Sequence, residues 1–549
     1  MSSFKSFCEV CEAIKSTGSK LRKVKILAEY LKTLDSQNLP FVCRILSGHI
    51  FPPWSEKEVY IGYSSLIKLI MDVSGASNEE FKSSYIKHGD LGMVAEELFA
   101  KKRLVPLILE ELTLNRIQNT FDKIALVKGD GSVLEKKNLL KGLFLNCSPL
   151  EAKYLVKILT NELRIGLVGG LVEESIAKAF NYKIQDVRDT VLTFSDIGEA
   201  ALQAYYGKLH DLQVKLFHPL SFMLADTMQT AEEIAKYYNK ELYAEFKYDG
   251  VRAQAHCSKG FVKIYSRRLE EISKSFPEVV DALSKIDHEC ILDGEIIPFK
   301  DGKVLPFQKL QHRLRRKIID TQLIQEVPLI YFVYDLMYLD GKTLINETLE
   351  VRRRLLESLK FYESIKISQI FKVKTAQEIQ ELFNESKRLG YEGLVLKDPL
   401  SPYSLGKRGK LWVKLKKELD TLDVVIVMAE YGHGKRAGLL SDYTFAVRDN
   451  EGRLRVIGKA YSGLTDDEIV EMTERLKKIT IKDYGFRRSV SPEIVLEVAF
   501  DSIQKSDRYD SGYALRFPRI KRIRYDKSVD EIDTLDRVKE IYEKQSYGK

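Results

Sequence analysis

The spacing of apolar residues changes twice along the chain, and the changes divide it. From Phe4 to Leu34 apolar residues recur three and four positions apart, the period of one helix face. Helix follows helix in this way to about residue 210. Ser148-Pro149-Leu150-Glu151 is a helix start: a serine to cap, a proline suited to the first turn, a glutamate to complete a capping box. Leu155, Ile158, Leu159 and Leu163 then fall on one side of that helix. It runs into Arg164-Ile165-Gly166-Leu167-Val168-Gly169-Gly170, with another helix expected through Phe180. The glycines let a backbone approach closely, and the second helix begins with open N–H groups. This suits a DNA phosphate, and equally an ordinary helix–helix turn.

From Leu212 to Met228 the period breaks; His218-Pro219-Leu220 and Leu224-Ala225-Asp226 read as a connector. β-rich runs follow at Tyr243 to Lys247, Phe261 to Ser266, Ile291 to Pro298, Leu329 to Tyr338, Gly393 to Lys397 and Leu411 to Lys416. With helices between them they predict a mixed α/β domain of about 200 residues. From Leu419 onward the strands are short: Asp423 to Met428, Tyr443 to Arg448, Arg453 to Lys459 and Ile494 to Phe500. Asp449-Asn450-Glu451-Gly452 signals a hairpin turn, and one helix falls at about Thr465 to Lys478. Short strands, one helix and basic loops suit a small Greek-key barrel of the OB type. The expected fold class is multidomain α+β: an all-α domain over 1–211, a mixed α/β domain over 212–417, and a β-barrel with a C-terminal helix over 418–549.

Composition narrows the class. A chain of 549 residues is too long for one core, and 44% hydrophobic with 30% charged residues reads as globular. The net charge of +8 implies no partner by itself. Its distribution does: from Lys505 to Lys527 there are eight Lys or Arg against three Asp, a density that favours phosphates over a merely solvated face. Cys8 and Cys11 have the spacing of half a zinc site, but no second pair completes it, so a reduced helical pair is expected. The start Met1-Ser2-Ser3-Phe4-Lys5 lacks the apolar run of a signal peptide, and no stretch is apolar enough to span a membrane. The expectation is a cytoplasmic protein without a membrane partner.

The middle domain carries charge where apolar strands are expected. In Glu245-Phe246-Lys247-Tyr248-Asp249-Gly250-Val251-Arg252 a lysine lies between carboxylates beside a glycine turn. A lysine becomes a nucleophile when desolvation or nearby cations lower its pKa, although the same letters also spell a strand running into a turn. Ser266-Arg267-Arg268 ends a strand. Asp293-Gly294-Glu295 places two carboxylates on one strand face. Glu392-Gly393-Leu394-Val395-Leu396-Lys397 runs from carboxylate through apolar residues to lysine, and Trp412-Val413-Lys414-Leu415-Lys416 turns two lysines to one side. Each has a bland reading as strand end, turn or solvated face. Together they fit one task, because burying charge is costly unless it is paired or coordinates something. Carboxylates can hold magnesium or meet a ribose hydroxyl. Cations can cradle a triphosphate, and a lysine can attack its α-phosphate.

In this order the motifs resemble the ATP-dependent DNA ligases of the archaeal and eukaryotic replicative type, members of the covalent nucleotidyltransferases. Tyr331-Phe332-Val333-Tyr334-Asp335 and Arg516-Phe517-Pro518-Arg519 complete the set, and Glu162-Leu163-Arg164-Ile165-Gly166-Leu167 resembles a turn of the family's helical DNA-binding domain. The resemblance implies that 212–417 is the adenylation domain and that Lys247 forms a covalent lysyl-AMP. It implies that Glu245 contacts adenine, that Phe332 stacks on the base, and that Arg252 and Arg267 hold the ribose and phosphate region. Glu295 would meet the ribose and, with Glu392, the metal. Arg408, Lys414 and Lys416 would contact phosphates with Lys397 nearby, and Asp249 would shape the site. Arg519 and its neighbours would swing over ATP for the first step. The implied cofactors are ATP as AMP donor and Mg2+; the implied partner is nicked double-stranded DNA, bound by a monomer. Replication, repair and recombination are the settings implied. No Gln-x-x-aliphatic-x-x-aromatic-aromatic peptide marks a sliding-clamp site, Gln118-Asn119-Thr120-Phe121 being too poor a match, so a clamp stays an open partner. The alternatives are an RNA ligase or capping-type enzyme, which shares the lysine motif without needing the helical front, and a non-catalytic nucleic-acid-binding relative.

Overall fold

The computed structural model describes residues 2–103, 110–129, 131–209, 213–305, 307–314, 319–416, 420–432, 436 and 438–547. The expected boundaries at 211/212 and 417/418, and the transitions placed at Leu212 and Leu419, lie outside the described residues. Contacts gather the chain into two units, Met1–Ser386 with Gly393–Leu415, and Lys387–Glu392 with Lys416–Lys549.

The first part of the larger unit is helical, from Phe4–Lys15 to Ile197–Tyr205. The apolar period over Phe4 to Leu34 divides into two helices, Phe4–Lys15 and Lys20–Leu31, because Ser16 to Ser19 interrupts it and Ser19 caps the second. Cys8 and Cys11 are buried in the helical core with Phe4, Phe7 and Leu27. The helix Pro149–Leu159 starts as its sequence predicts: Ser148 Oγ accepts from the Glu151 N–H and Glu151 accepts from the Ser148 N–H. It ends sooner than the apolar spacing suggests, so Leu163 packs on the core from beyond its C-terminus. The turn that follows is held from below, where the buried Lys23 ammonium donates to the Ile165 and Gly166 carbonyls, both at 2.9 Å.

The rest of that unit is built on two sheets. Its strands are β1 (Leu224–Thr227), β2 (Leu242–Lys247), β3 (Val251–Ser258), β4 (Phe261–Ser266), β5 (Cys290–Lys300), β6 (Lys303–Val304), β7 (Leu329–Leu339), β8 (Lys342–Thr343), β9 (Ile365–Ile367), β10 (Phe371–Val373), β11 (Gly393–Lys397) and β12 (Arg408–Lys416). One sheet has the order β1-β12-β11-β2-β10; the other runs β4-β3-β5-β7-β8, with β6 on β5 and β9 on β7. The chain therefore changes sheet between β2 and β3, at Asp249-Gly250, and again between β9 and β10, at Ser368. Leu224-Ala225-Asp226, expected as connector, is a short edge strand instead. It pairs in parallel with β12, a partner more than 180 residues away that local sequence does not reveal.

The smaller unit is strand-rich: β13 (Asp420–Tyr431), β14 (Leu440–Arg448), β15 (Leu454–Ala460), β16 (Thr480–Asp483), β17 (Arg487–Val490), β18 (Val495–Phe500), β19 (Ser502–Lys505), β20 (Tyr513–Arg516) and β21 (Arg519–Ile523). β13 organises it, pairing with β14 on one side and with β18 and then β17 along the other. The hairpin at Asp449 forms as expected: Asp449 accepts from the Glu451 and Arg453 N–H groups, and Gly452 takes φ 79°. The helix Asp466–Lys478 starts at Thr465 with a capping box to Glu468, and Met472 and Leu476 pack on the strands.

Candidate active site

Lys247 is the last residue of β2, half-buried, where the chain leaves one sheet for the other. The crossing is tight. A Cβ on Gly250 would collide with the Ile296 carbonyl on β5, and one on Gly294 would collide with the Phe332 carbonyl on β7. Glycine at these two positions lets the strands close around the crossing that follows the lysine.

Two residues before the lysine, and so on the same face of β2, Glu245 is buried. Its Oε1 accepts from Lys397 Nζ at 2.8 Å, with both side chains 2% exposed. Its Oε2 accepts from Ser368 Oγ at 3.0 Å. The Lys397 ammonium also lies over Tyr334 and Trp412, 4.4 and 4.3 Å from the ring centroids. Removing one partner of such a pair strands a buried charge, at about 3–5 kcal/mol. Phe332 stacks on Tyr248, with centroids 4.4 Å apart and 11° between planes.

Asp293 and Glu295 share a face of β5, as alternation predicts, and face β3, where Arg252 pairs in register with Glu295. Arg252 grips Asp293 with two nitrogens, Nε at 3.2 Å and Nη2 at 2.7 Å. Tyr403 donates its hydroxyl to the same carboxylate at 2.6 Å, and Arg252 Nη1 donates to the Met223 carbonyl. Glu295 is different. Burial pushes its carboxyl up to about 8, against the pull of Lys247 and Arg252 and with a further push from Asp293 and Asp249.

The remaining candidates divide. Lys416 ion-pairs with Glu392, and Lys414 is half-buried on the same face of β12. Arg408, at the start of β12, and Arg267, in the turn after β4, are exposed. Arg519 is exposed at the start of β21, two residues after Phe517, which has φ 51°. The structure thus gathers Glu245, Lys247, Arg252, Glu295, Phe332 and Lys397 around the β2–β3 crossing and leaves Arg267 and Arg408 on the surface. Sequence reasoning missed Ser368 and Tyr403. Both meet their partners across more than 100 residues, so local pattern held no signal for either.

Among the described residues no three of His, Cys, Asp or Glu converge to hold a metal. Glu295, in the larger unit, offers carboxylate oxygen only, and Glu392, in the smaller one, is paired with Lys416. A carboxylate such as Glu295 is the kind of donor magnesium takes, since that ion binds through one or two carboxylates and completes its shell with phosphate oxygens and water.

Three family models cover most of the chain in order: "DNA ligase N terminus" over residues 3–205, "ATP dependent DNA ligase domain" over 222–416, and "ATP dependent DNA ligase C terminal region" over 436–527. The chain belongs to the ATP-dependent DNA ligases. A probable DNA ligase of Koribacter versatilis is 43% identical, over 98% of this chain and 96% of its own. A DNA ligase of Archaeoglobus fulgidus is 37% identical over 99% of each. The solved structure "Pmar-Lig_Pre." covers 94% of this chain and 99% of its own at TM-score 0.58 and 17% identity, a likeness of fold alone. The enzyme is therefore a ligase that seals nicks in DNA, with ATP as the source of AMP. A DNA ligase N terminus in front of the adenylation core sets aside the RNA ligase and capping alternatives. Among the described residues no helix is long and apolar enough to cross a membrane.

Proposed function

We propose that Lys247 is the group that carries AMP. Its Nζ, as the neutral amine, attacks the α-phosphorus of ATP; an N–P bond forms and the P–O bond to pyrophosphate breaks. AMP then passes to the 5′-phosphate at a nick, and the neighbouring 3′-hydroxyl displaces it to seal the strand. The observation that supports this best is the Lys247 crossing itself: an amine beside Glu295, two residues from a buried Glu245–Lys397 pair, on strands brought together by glycine.

In this reading Glu245 receives the adenine edge and Phe332 packs on the base. Arg252 holds Asp293 and the wall of the ribose site, and Arg267 and Arg408 reach the nucleotide from the surface with Lys414 and Lys416. Lys397 acts by holding Glu245. Glu295 and Glu392 supply the carboxylates for magnesium, which when bound neutralises phosphate charge. The domains run 1–211, 212–417 and 418–549, the last an OB-fold barrel whose Arg519 segment visits the nucleotide in the first step. The DNA contacts are mainly to backbone, so affinity falls with salt and varies little with sequence. The enzyme works as a cytoplasmic monomer, with a clamp as an optional partner.

A nicked duplex with a 5′-phosphate, supplied with ATP and magnesium, tests the assignment. Lys247→Ala and Lys247→Arg both lose at least about a thousand-fold in sealing rate, on the order of what removal of a covalent nucleophile costs. Sealing by either variant at near wild-type rate overturns it.

A further inference from the structure

Ser368 is where the chain passes from β9 in one sheet to β10 in the other. It is fully buried, and its backbone is pinned on both sides. The Ser368 N–H donates to the Val333 carbonyl of β7 at 2.8 Å, and the buried Arg353 guanidinium donates to the Ser368 carbonyl. Arg353 is itself braced through Nε by Glu357 at 2.7 Å. Such anchoring leaves the hydroxyl little choice of position.

The hydroxyl has two neighbours, Glu245 Oε2 at 3.0 Å and Tyr248 Oη at 3.2 Å. A serine carries one hydroxyl proton. The carboxylate can only accept, so that proton goes to Glu245, and Tyr248 must then donate to Ser368. The result is a directed chain, Tyr248 Oη–H to Ser368 Oγ–H to Glu245 Oε2, starting at the residue next to Lys247. Tyr248 is also the ring on which Phe332 stacks. One hydroxyl therefore fixes both the rotation of the Glu245 carboxylate and the ring behind Phe332.

We propose that Ser368 is a positioning residue for base recognition: by locking Glu245 it makes the pocket select a base edge that donates a proton. This rests on the reading of Glu245 as the base contact. A carboxylate has about four acceptor directions. Lys397 and Ser368 take one on each oxygen, which leaves acceptor capacity in a fixed orientation for the exocyclic amine of adenine. Guanine presents a carbonyl oxygen at the corresponding position, and an oriented carboxylate repels it. A carboxylate able to rotate loses part of that discrimination.

The test is transfer of AMP or GMP to the enzyme from α-labelled ATP or GTP, measured over a range of nucleotide concentrations. The wild type is compared with Ser368→Ala, Ser368→Thr and Glu245→Ala, with thermal unfolding of each. Ser368→Ala is expected to raise KM for ATP roughly ten- to a hundred-fold, the cost of a lost hydrogen bond to a charged group. The rate at saturating ATP changes less, and the preference for ATP over GTP falls. Ser368→Thr, which keeps the hydroxyl, recovers the preference. Tyr248→Phe removes only the outer donor; it is the variant to use if Ser368→Ala does not fold, and it shows the same loss of preference at smaller size. An unchanged ATP-to-GTP ratio in folded Ser368→Ala, or in Tyr248→Phe when that variant stands in, overturns the proposal. A wild-type enzyme that takes no label, or Glu245→Ala indistinguishable from wild type, instead overturns the reading of the site beneath it.

Discussion

Asp293 and Glu295 stand two residues apart on one face of β5, and their surroundings differ completely. The Asp293 corner is saturated: a two-nitrogen grip from Arg252 and a tyrosine hydroxyl from Tyr403. That network extends along β3, where Gln254 accepts from the Leu220 N–H and donates to its carbonyl, and His256 accepts from the Phe217 N–H. Its charges are committed to holding the segment 217–223 against the sheet. At the other corner burial pushes the Glu295 carboxyl up to about 8, beside the Lys247 amine. Two carboxylates in one motif thus sit in two environments, and the difference lies in how many donors each already has. A third case marks the extreme. Asp335 and Arg352 form a pair with both side chains fully buried, and Arg352 spends its other nitrogen on the Glu347 and Ser401 carbonyls. Buried charge alone does not mark a reactive group.

Substitutions at the two corners should separate. Asp293→Asn leaves the half-buried Arg252 facing a buried site without its counter-charge and is expected to lower unfolding free energy by about 3 kcal/mol, read by urea denaturation. Glu295→Gln replaces a carboxyl that is already largely neutral at pH 7, so stability stays within about 1 kcal/mol of wild type while AMP transfer to the enzyme collapses. Equal stability losses in the two variants would erase the distinction.

The pH dependence sharpens it further. A carboxyl raised to about 8 in the fold, from 4.5, binds more protons folded than unfolded between those values. Its contribution to stability is full below 4.5 and is lost as pH rises through about 8; Glu295→Gln should remove that alkaline loss. AMP transfer should rise over the same window, with a midpoint that moves down as magnesium is raised, because the ion and the proton compete for one oxygen. A midpoint indifferent to magnesium contradicts the metal role.

The smallest effect belongs to the structural corner. Burial pushes His256 down to about 3. The Phe217 N–H donates to Nδ1, so the ring is neutral with its proton on Nε2, toward Gln254 Oε1 at 2.9 Å. A histidine depressed in the fold contributes stability above 6.5 that is lost as pH falls. At pH 5.5 the loss is about 1.4 kcal/mol, checked by unfolding wild type and His256→Gln at both pH values.

Much of this was legible in the chain. β4 and β11 have the bounds that composition predicts, and the capping box at Ser148 forms. Alternation on β5 put both carboxylates on one face. What it could not say was which of them would be satisfied, because Arg252 and Tyr403 lie 41 and 110 residues away. β3 escaped notice because Gln254 and His256 interrupt it with polar residues that are buried and bonded to a distant loop. β16 and β17 escaped because Lys482, Arg487 and Arg488 read as loop; β17 becomes sheet by pairing with β13, and β16 by pairing with β17. Ser368 carries no local mark at all, since its meaning comes from the crossing of two sheets.

The most direct measurement is to incubate the enzyme with ATP and magnesium, digest it, and map the added AMP by mass. One AMP is expected on the peptide bearing Lys247, released when nicked DNA is supplied before digestion. AMP on another residue, or nicks sealed by enzyme that never carries AMP, would contradict it.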